Sequence, residues 1–316
     1  MKRLFTILLL VFSVTSMMAG NNLLSLDSII AGAYKPEKLP DFCPMQDPSL
    51  YSSLDETGTK LNSYVYQTGK LKETMLDLTK ARGSKLKKIA GYSFNGQETK
   101  ILIWEEERPI YRHSFLTEYY VYDRKRNLIE PLSEKGNQRD AKFSPDGRSI
   151  AFVRDNNLFI KRLDFGSELT VTTDGAMNRI INGAADWMYE EEAVMTAAYA
   201  WSPDSECLAY LKFNERSVPE YTFTLYGNDR MGGEAPVYYP GFRTYRYASA
   251  GDTISTVTVH VYQLKIRSSR KLSVPVDADG YIPRIRFTRS NNQLAVMTLN
   301  RNQNEFKLFF VNPKSG

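Results

Sequence analysis

One unit of sequence recurs along the chain: an aromatic residue, a polar reversing turn, an apolar strand, a second turn and another strand. Phe143-Ser144-Pro145-Asp146-Gly147 leads into Ser149-Ile150-Ala151-Phe152-Val153, then Asn156-Asn157, then Leu158-Phe159-Ile160. Trp201-Ser202-Pro203-Asp204-Ser205 leads into Cys207-Leu208-Ala209-Tyr210-Leu211. Ser93-Phe94-Asn95-Gly96 precedes Lys100-Ile101-Leu102-Ile103-Trp104, and Phe287 to Asn292 precedes Leu294-Ala295-Val296-Met297 and then Phe306-Lys307-Leu308-Phe309-Phe310. Pro, Asp, Asn and Gly reverse a chain at low conformational cost. Short apolar runs between such turns predict antiparallel strands. The spacing from Phe94 to Phe143 to Trp201 is about one propeller blade each, on a period of roughly 40–50 residues. The expected fold class is therefore all-β: a partial β-propeller of about four or five blade-like units. The longer gap from Trp201 to Phe287 predicts an insertion around 226–247, rich in Gly, Pro and Tyr.

Composition agrees. Of 316 residues, 42% are hydrophobic and 24% charged, as in a folded globular protein. The 12% aromatic share, with 20 Tyr and 16 Phe, leans toward strands. A net charge of +5 is modest, and the Lys80, Arg82, Lys85, Lys87, Lys88 cluster reads as a solvated strand face. No nucleic-acid motif accompanies it, so no nucleic acid is expected as a partner. With two His and two Cys at no paired spacing, no metal site and no cofactor are expected. Cys43 and Cys207 are equally consistent with a disulfide and with two free thiols.

The beginning of the chain reads as an export signal. Lys2 and Arg3 precede an apolar run from Leu4 to Val14, and Met17-Met18-Ala19 ends on a small residue. The run is too short to span a bilayer comfortably. The expected organisation is a signal peptide at 1–19, a short helix and extended linker at 20–50, and a partial propeller at 51–316. Leu23, Leu26, Ile29 and Ile30 supply the helical spacing; Pro36, Pro40, Pro44 and Pro48 supply the extended connection. No membrane span is expected after signal cleavage.

Asp186-Trp187-Met188-Tyr189-Glu190-Glu191-Glu192 sets three carboxylates beside aromatic and apolar neighbours. Adjacent like charges repel unless they are solvated or matched by a cation. Two readings stand open from the residues alone: a solvated helix start, where acids suit the dipole, and a half-buried site for a positive ligand.

The stretch Asn182 to Glu192 resembles the glutamate motif of the dipeptidyl peptidase IV family of serine exopeptidases, notably its bacterial members. Tyr111-Arg112-His113-Ser114-Phe115 resembles the substrate-arginine segment of the same family. Trp201-Ser202-Pro203-Asp204, Val218-Pro219-Glu220-Tyr221 and Asp279 to Arg284 follow in family order. The resemblance implies roughly eight blades followed by an α/β-hydrolase domain, which this sequence lacks. It implies that Glu191 and Glu192 grip the α-amine of a peptide, that Glu190 supports them, and that Arg112 approaches both the glutamates and the peptide carbonyl. It implies removal of N-terminal X-Pro or X-Ala dipeptides, peptide substrates with a free N-terminus, a periplasmic or cell-surface location, and a homodimer assisted by the 226–247 insertion.

No catalytic residue is assigned within this chain. Serine-peptidase chemistry needs a nucleophile, an imidazole base and an orienting carboxylate, with the serine in a Gly-x-Ser-x-Gly elbow. The nearest approach, Gly91 to Gly96, is one residue too long and lies inside a blade repeat. His260 lies in an alternating strand and His113 in the arginine segment. The chain alone is expected to be inactive. The alternative is a non-catalytic secreted propeller that binds peptides or a partner protein.

Overall fold

The computed structural model describes residues 24–36, 41–226 and 239–316, in two compact units, Met1–Asp41 and Phe42–Gly316. The expected signal segment lies outside the described residues, as do residues 227–238 of the expected insertion. In the first unit, helix α1 (Leu26–Ile30) is capped by Ser25, whose Oγ accepts from the Ser28 N–H at 3.1 Å.

The second unit is the expected β-propeller architecture, laid out as five successive antiparallel sheets among the described residues. The first contains Phe42–Pro44, Leu50–Leu54, Lys60–Val65 and Leu71–Asp77. The second contains Gly91–Phe94, Lys100–Trp104, Tyr119–Asp123 and Leu128–Pro131. The third contains Arg139–Phe143, Ser149–Arg154, Asn157–Arg162 and Ser167–Thr170. In the fourth, Ile180–Asn182 and Tyr199–Trp201 both pair with Cys207–Asn214, followed by Thr256–Gln263 and Ser268–Lys271. Tyr281–Phe287, Leu294–Leu299 and Phe306–Val311 form the fifth.

The first sheet starts earlier than the proline pattern suggested. Phe42–Pro44 pairs with Leu50–Leu54, so part of the expected linker is a sheet edge, where a proline costs no ladder bond on its outer side. Its turn, Asp55 to Gly58, works as the others do. Asp55 Oδ1 accepts from the N–H groups of Thr59 and Lys60 at 2.8 and 2.9 Å.

Strand alternation explains the continuous apolar runs. In Lys100–Trp104, Ile101 and Ile103 enter one buried layer with Leu61 and Leu76, while Leu102 enters another with Ile150 and Phe152. In Ser149–Arg154, Ile150 and Phe152 face back, and Ala151 and Val153 face forward into the largest cluster, with Leu208, Leu211, Val259 and Val296. A sheet packed on both faces cannot afford a polar row, so its central strands lose the hydrophobic–polar alternation of a one-sided sheet.

The turns bond from sheet to sheet. Gln46 N donates to Glu98 Oε1 at 2.5 Å, Asp146 N to Ser205 Oγ at 3.1 Å, and Asp204 N to Asn291 Oδ1 at 3.0 Å. Gly147, at φ +68°, lies so close to Asn95 that a Cβ would meet its Nδ2 at 2.6 Å. The polar turn residues thus serve twice, closing their own hairpin and tying it to the next.

Three excursions leave this frame. Residues 105–118 leave the second sheet between its middle strands and include the pairing of Arg108–Pro109 with Phe115–Leu116. Residues 183–198 interrupt the first strand of the fourth sheet and carry helix α2, Trp187–Ala193. Residues 215–255 leave between the two long strands of the same sheet and carry a hairpin, Glu220–Leu225 with Gly241–Arg246. The long gap after Trp201 therefore holds the expected insertion.

Candidate functional site

Helix α2 begins because Asp186 caps it. Asp186 Oδ1 accepts from the Tyr189 N–H at 2.9 Å, and Ser255 Oγ donates to Oδ2 at 2.6 Å. The two bonds satisfy an acid that is otherwise fully enclosed; burial still pushes its carboxyl above the usual range. Tyr189 is 1% exposed, and its hydroxyl accepts from the Ile282 N–H at 3.0 Å. The helix is pinned through its first turn. It stops at Val194, whose φ of +49° is the left-handed conformation, unfavourable for a β-branched residue.

This anchoring gives the three glutamates three different surroundings. Glu190 is fully buried, and its Oε1 accepts from the backbone N–H groups of His113 and Ser114 at 2.7 and 2.8 Å. The arginine segment is therefore fastened to the glutamate helix across 76 residues of sequence. Glu191 is half-buried and meets Arg112 Nη2 at 2.9 Å. Glu192 is exposed and makes no ion pair among the described residues. Of the four residues expected from sequence, Arg112, Glu190 and Glu191 are brought together by these contacts, while Glu192 follows on the same helix as an exposed side chain.

Arg112 is 70% exposed. A pair this open adds roughly 0–1 kcal/mol to stability, so the fold gains little by forming it. What the contact does is hold a planar guanidinium, with no other ion pair among the described residues, against the half-buried carboxylate of Glu191.

Aromatic side chains tie the neighbouring elements together. Trp187 stacks on Tyr247 with centroids 3.9 Å apart, and Tyr111 lies against Tyr245 at 5.6 Å. The helix, the arginine segment and the hairpin excursion are joined through these rings. Below them lies a second acid, Glu215, 4% exposed. Burial, reinforced by the nearby Asp186 charge and opposed by Arg246, pushes its carboxyl up to about 8.

Sequence reasoning missed Arg139, Glu215 and Ser255. Arg139 stands in a strand of no distinctive pattern, and the contact of Ser255 with Asp186 spans 69 residues. The other sequence candidates take quieter places. His260 sits beside Tyr210, its ring stacked at 5.3 Å, and burial lowers its basicity to about 4. Gly91 is a strand residue beneath Trp104, where a Cβ would meet the indole at 2.2 Å. Cys43 and Cys207 are both free thiols. Among the described residues no cluster suits a metal ion, and no helix is long and apolar enough to cross a membrane.

Residues 95–316 match the family model described as the dipeptidyl peptidase IV N-terminal region. The chain belongs to that family. Its fold is similar to the crystal structure of Porphyromonas gingivalis dipeptidyl peptidase 4, with a TM-score of 0.87 and 42% identity over 94% of this chain and 41% of that one. It is 36% identical to dipeptidyl peptidase 4 of Trichophyton rubrum over 213 residues, which is 65% of this chain and 26% of that protein. The chain thus spans about a quarter of the length of the curated relatives it matches.

Proposed function

We propose that this chain is the substrate-gating propeller portion of a secreted, periplasmic or cell-surface serine peptidase that removes X-Pro or X-Ala dipeptides from free N-termini. Glu191 and Glu192 receive the protonated α-amine. Arg112 shares Glu191 and turns its free donors toward the peptide carbonyl. Glu190 keeps the arginine segment in register with the two acids. The nucleophile, base and orienting acid are supplied by residues outside this chain, and the excursion around 226–247 contributes to a homodimer.

The observation that carries the reading is the fastening of the Arg112 segment to the glutamate helix by a fully buried carboxylate. A solvated acidic helix start would need no such attachment. Two carboxylates with one guanidinium leave a net negative charge, suited to a compact cation at the end of a peptide. A peptide extended beyond that end would have to place neutral amide where charge is required, at a desolvation cost.

The test uses the full-length protein and a chromogenic Gly-Pro conjugate. The free-amine substrate is expected to be turned over, and Glu191→Gln to raise KM by about tenfold or more. Equal turnover of the N-acetylated conjugate would refute the reading.

A further inference from the structure

Glu190 has a second oxygen that the arginine segment does not use. Oε2 is buried and accepts no hydrogen bond among the described residues; it faces Arg139 Nη2 at 3.9 Å, and that nitrogen is likewise buried without a hydrogen-bond partner. Arg139 is 5% exposed and belongs to the first strand of the third sheet. Its Nε donates to Asp140 Oδ2 at 2.7 Å. The strand is bent to deliver this pair. Asp140 has φ +56°, and the register shifts between Arg139 and Lys142. The preceding residue, Gln138, exchanges backbone bonds with Thr117 at 2.7 and 2.9 Å, at the end of the excursion that carries Arg112.

We propose that Arg139 is a positioning residue for ligand binding: it neutralises Glu190 from the buried side, so that Glu190 holds the 112–114 turn while Glu191 and Glu192 remain the carboxylates open to a cation. The inference rests on the amine-binding reading and deepens it. A fully buried carboxylate without a counter-charge is strongly unfavourable. Without Arg139, a guanidinium that could turn toward Glu190 is Arg112, which directly precedes the His113 and Ser114 N–H groups that Glu190 holds. Arg112 would then be drawn away from Glu191, and the amine subsite would lose its geometry without any change at the reacting atoms. Asp140 completes the arrangement by holding the guanidinium through Nε, while Nη2 of the same group faces Glu190.

A charge-pairing Arg139 and one that merely fills space differ in how a second substitution acts on KM. The full-length protein is assayed with a Gly-Pro chromogenic substrate as Arg139→Met, Glu190→Gln and the double variant. Arg139→Met is expected to raise KM about tenfold while kcat stays within about twofold, because binding and not chemistry is disturbed. Glu190→Gln keeps an acceptor for His113 and Ser114 but carries no charge. The double variant is therefore expected to return KM to within about threefold of Glu190→Gln alone, a rescue that a packing role would not produce. An unchanged KM in Arg139→Met, or a double variant whose KM equals the product of the two single effects, overturns the proposal. If Arg139→Met does not fold, the double variant decides. Folding with KM near that of Glu190→Gln supports the proposal, and failure to fold or a KM well above it overturns it. Failure of the amine reading itself shows separately, as an unchanged KM in Glu191→Gln on an intact Arg139 background.

Discussion

Glu215→Gln should change how stability depends on pH. The carboxyl ordinarily titrates near 4.5 and is raised to about 8 in the fold by burial and by the Asp186 charge. Below 4.5 the folded and unfolded chains both carry the proton, and the group contributes nothing to pH dependence. Between 4.5 and 8 the folded chain keeps a proton that the unfolded chain releases, so stability falls as pH rises. At roughly 1.4 kcal/mol per pH unit, the whole interval sets a ceiling on the order of 5 kcal/mol. Glutamine has the same shape and no proton to lose. Urea denaturation of the full-length protein between pH 5 and 9 checks this. Wild type and variant should have similar midpoints at pH 5 and should separate steadily toward pH 8, the variant becoming the more stable. Parallel curves across the range would refute the argument that this acid is held neutral by its surroundings.

Glu191→Ala and Glu192→Ala should each lower kcat/KM for a free-amine dipeptidyl substrate by about a hundredfold, the scale expected when one carboxylate partner of a bound, desolvated amine is removed; steady-state kinetics on the full-length protein measures it. Asp186→Ala removes the cap of helix α2 and the acceptor of Ser255, and should cost about 1–2 kcal/mol in a denaturant titration. Val194→Gly relieves a left-handed β-branched residue and should stabilise by about 1 kcal/mol, read as a higher thermal midpoint. Tyr247→Ala removes the ring stacked on Trp187 and should cost about 1 kcal/mol, with faster proteolytic nicking of the 220–246 hairpin as the readout.

The blades were legible because the turns that make them are chemical necessities repeated along the chain. Phe143 to Gly147 and Trp201 to Ser205 announce both a reversal and the apolar strand after it, and both fold that way. The first sheet was harder to see since Leu54 stands where the other units have an aromatic residue, although Asp55 closes the same turn. Strand Phe42–Pro44 was hidden by prolines that an edge position tolerates. At the site, Arg112 and the glutamates could be found only through a motif, because local sequence fits a solvated helix start equally well. What separates Glu190 from Glu191 and Glu192 is burial, which depends on contacts made by the distant residues His113, Ser114 and Arg139. No local pattern marks Arg139 or Ser255, since each acts on an element folded from elsewhere in the chain.

The central claim is that Glu191 and Glu192, with Arg112 beside them, bind a cationic peptide end. Calorimetry of the full-length protein with a free-amine X-Pro peptide and its N-acetylated twin tests it without relying on turnover. Binding of the free amine with a loss of at least about tenfold in affinity on acetylation, equivalent to about 1.4 kcal/mol, is the predicted result. Equal affinity for the two peptides would contradict it.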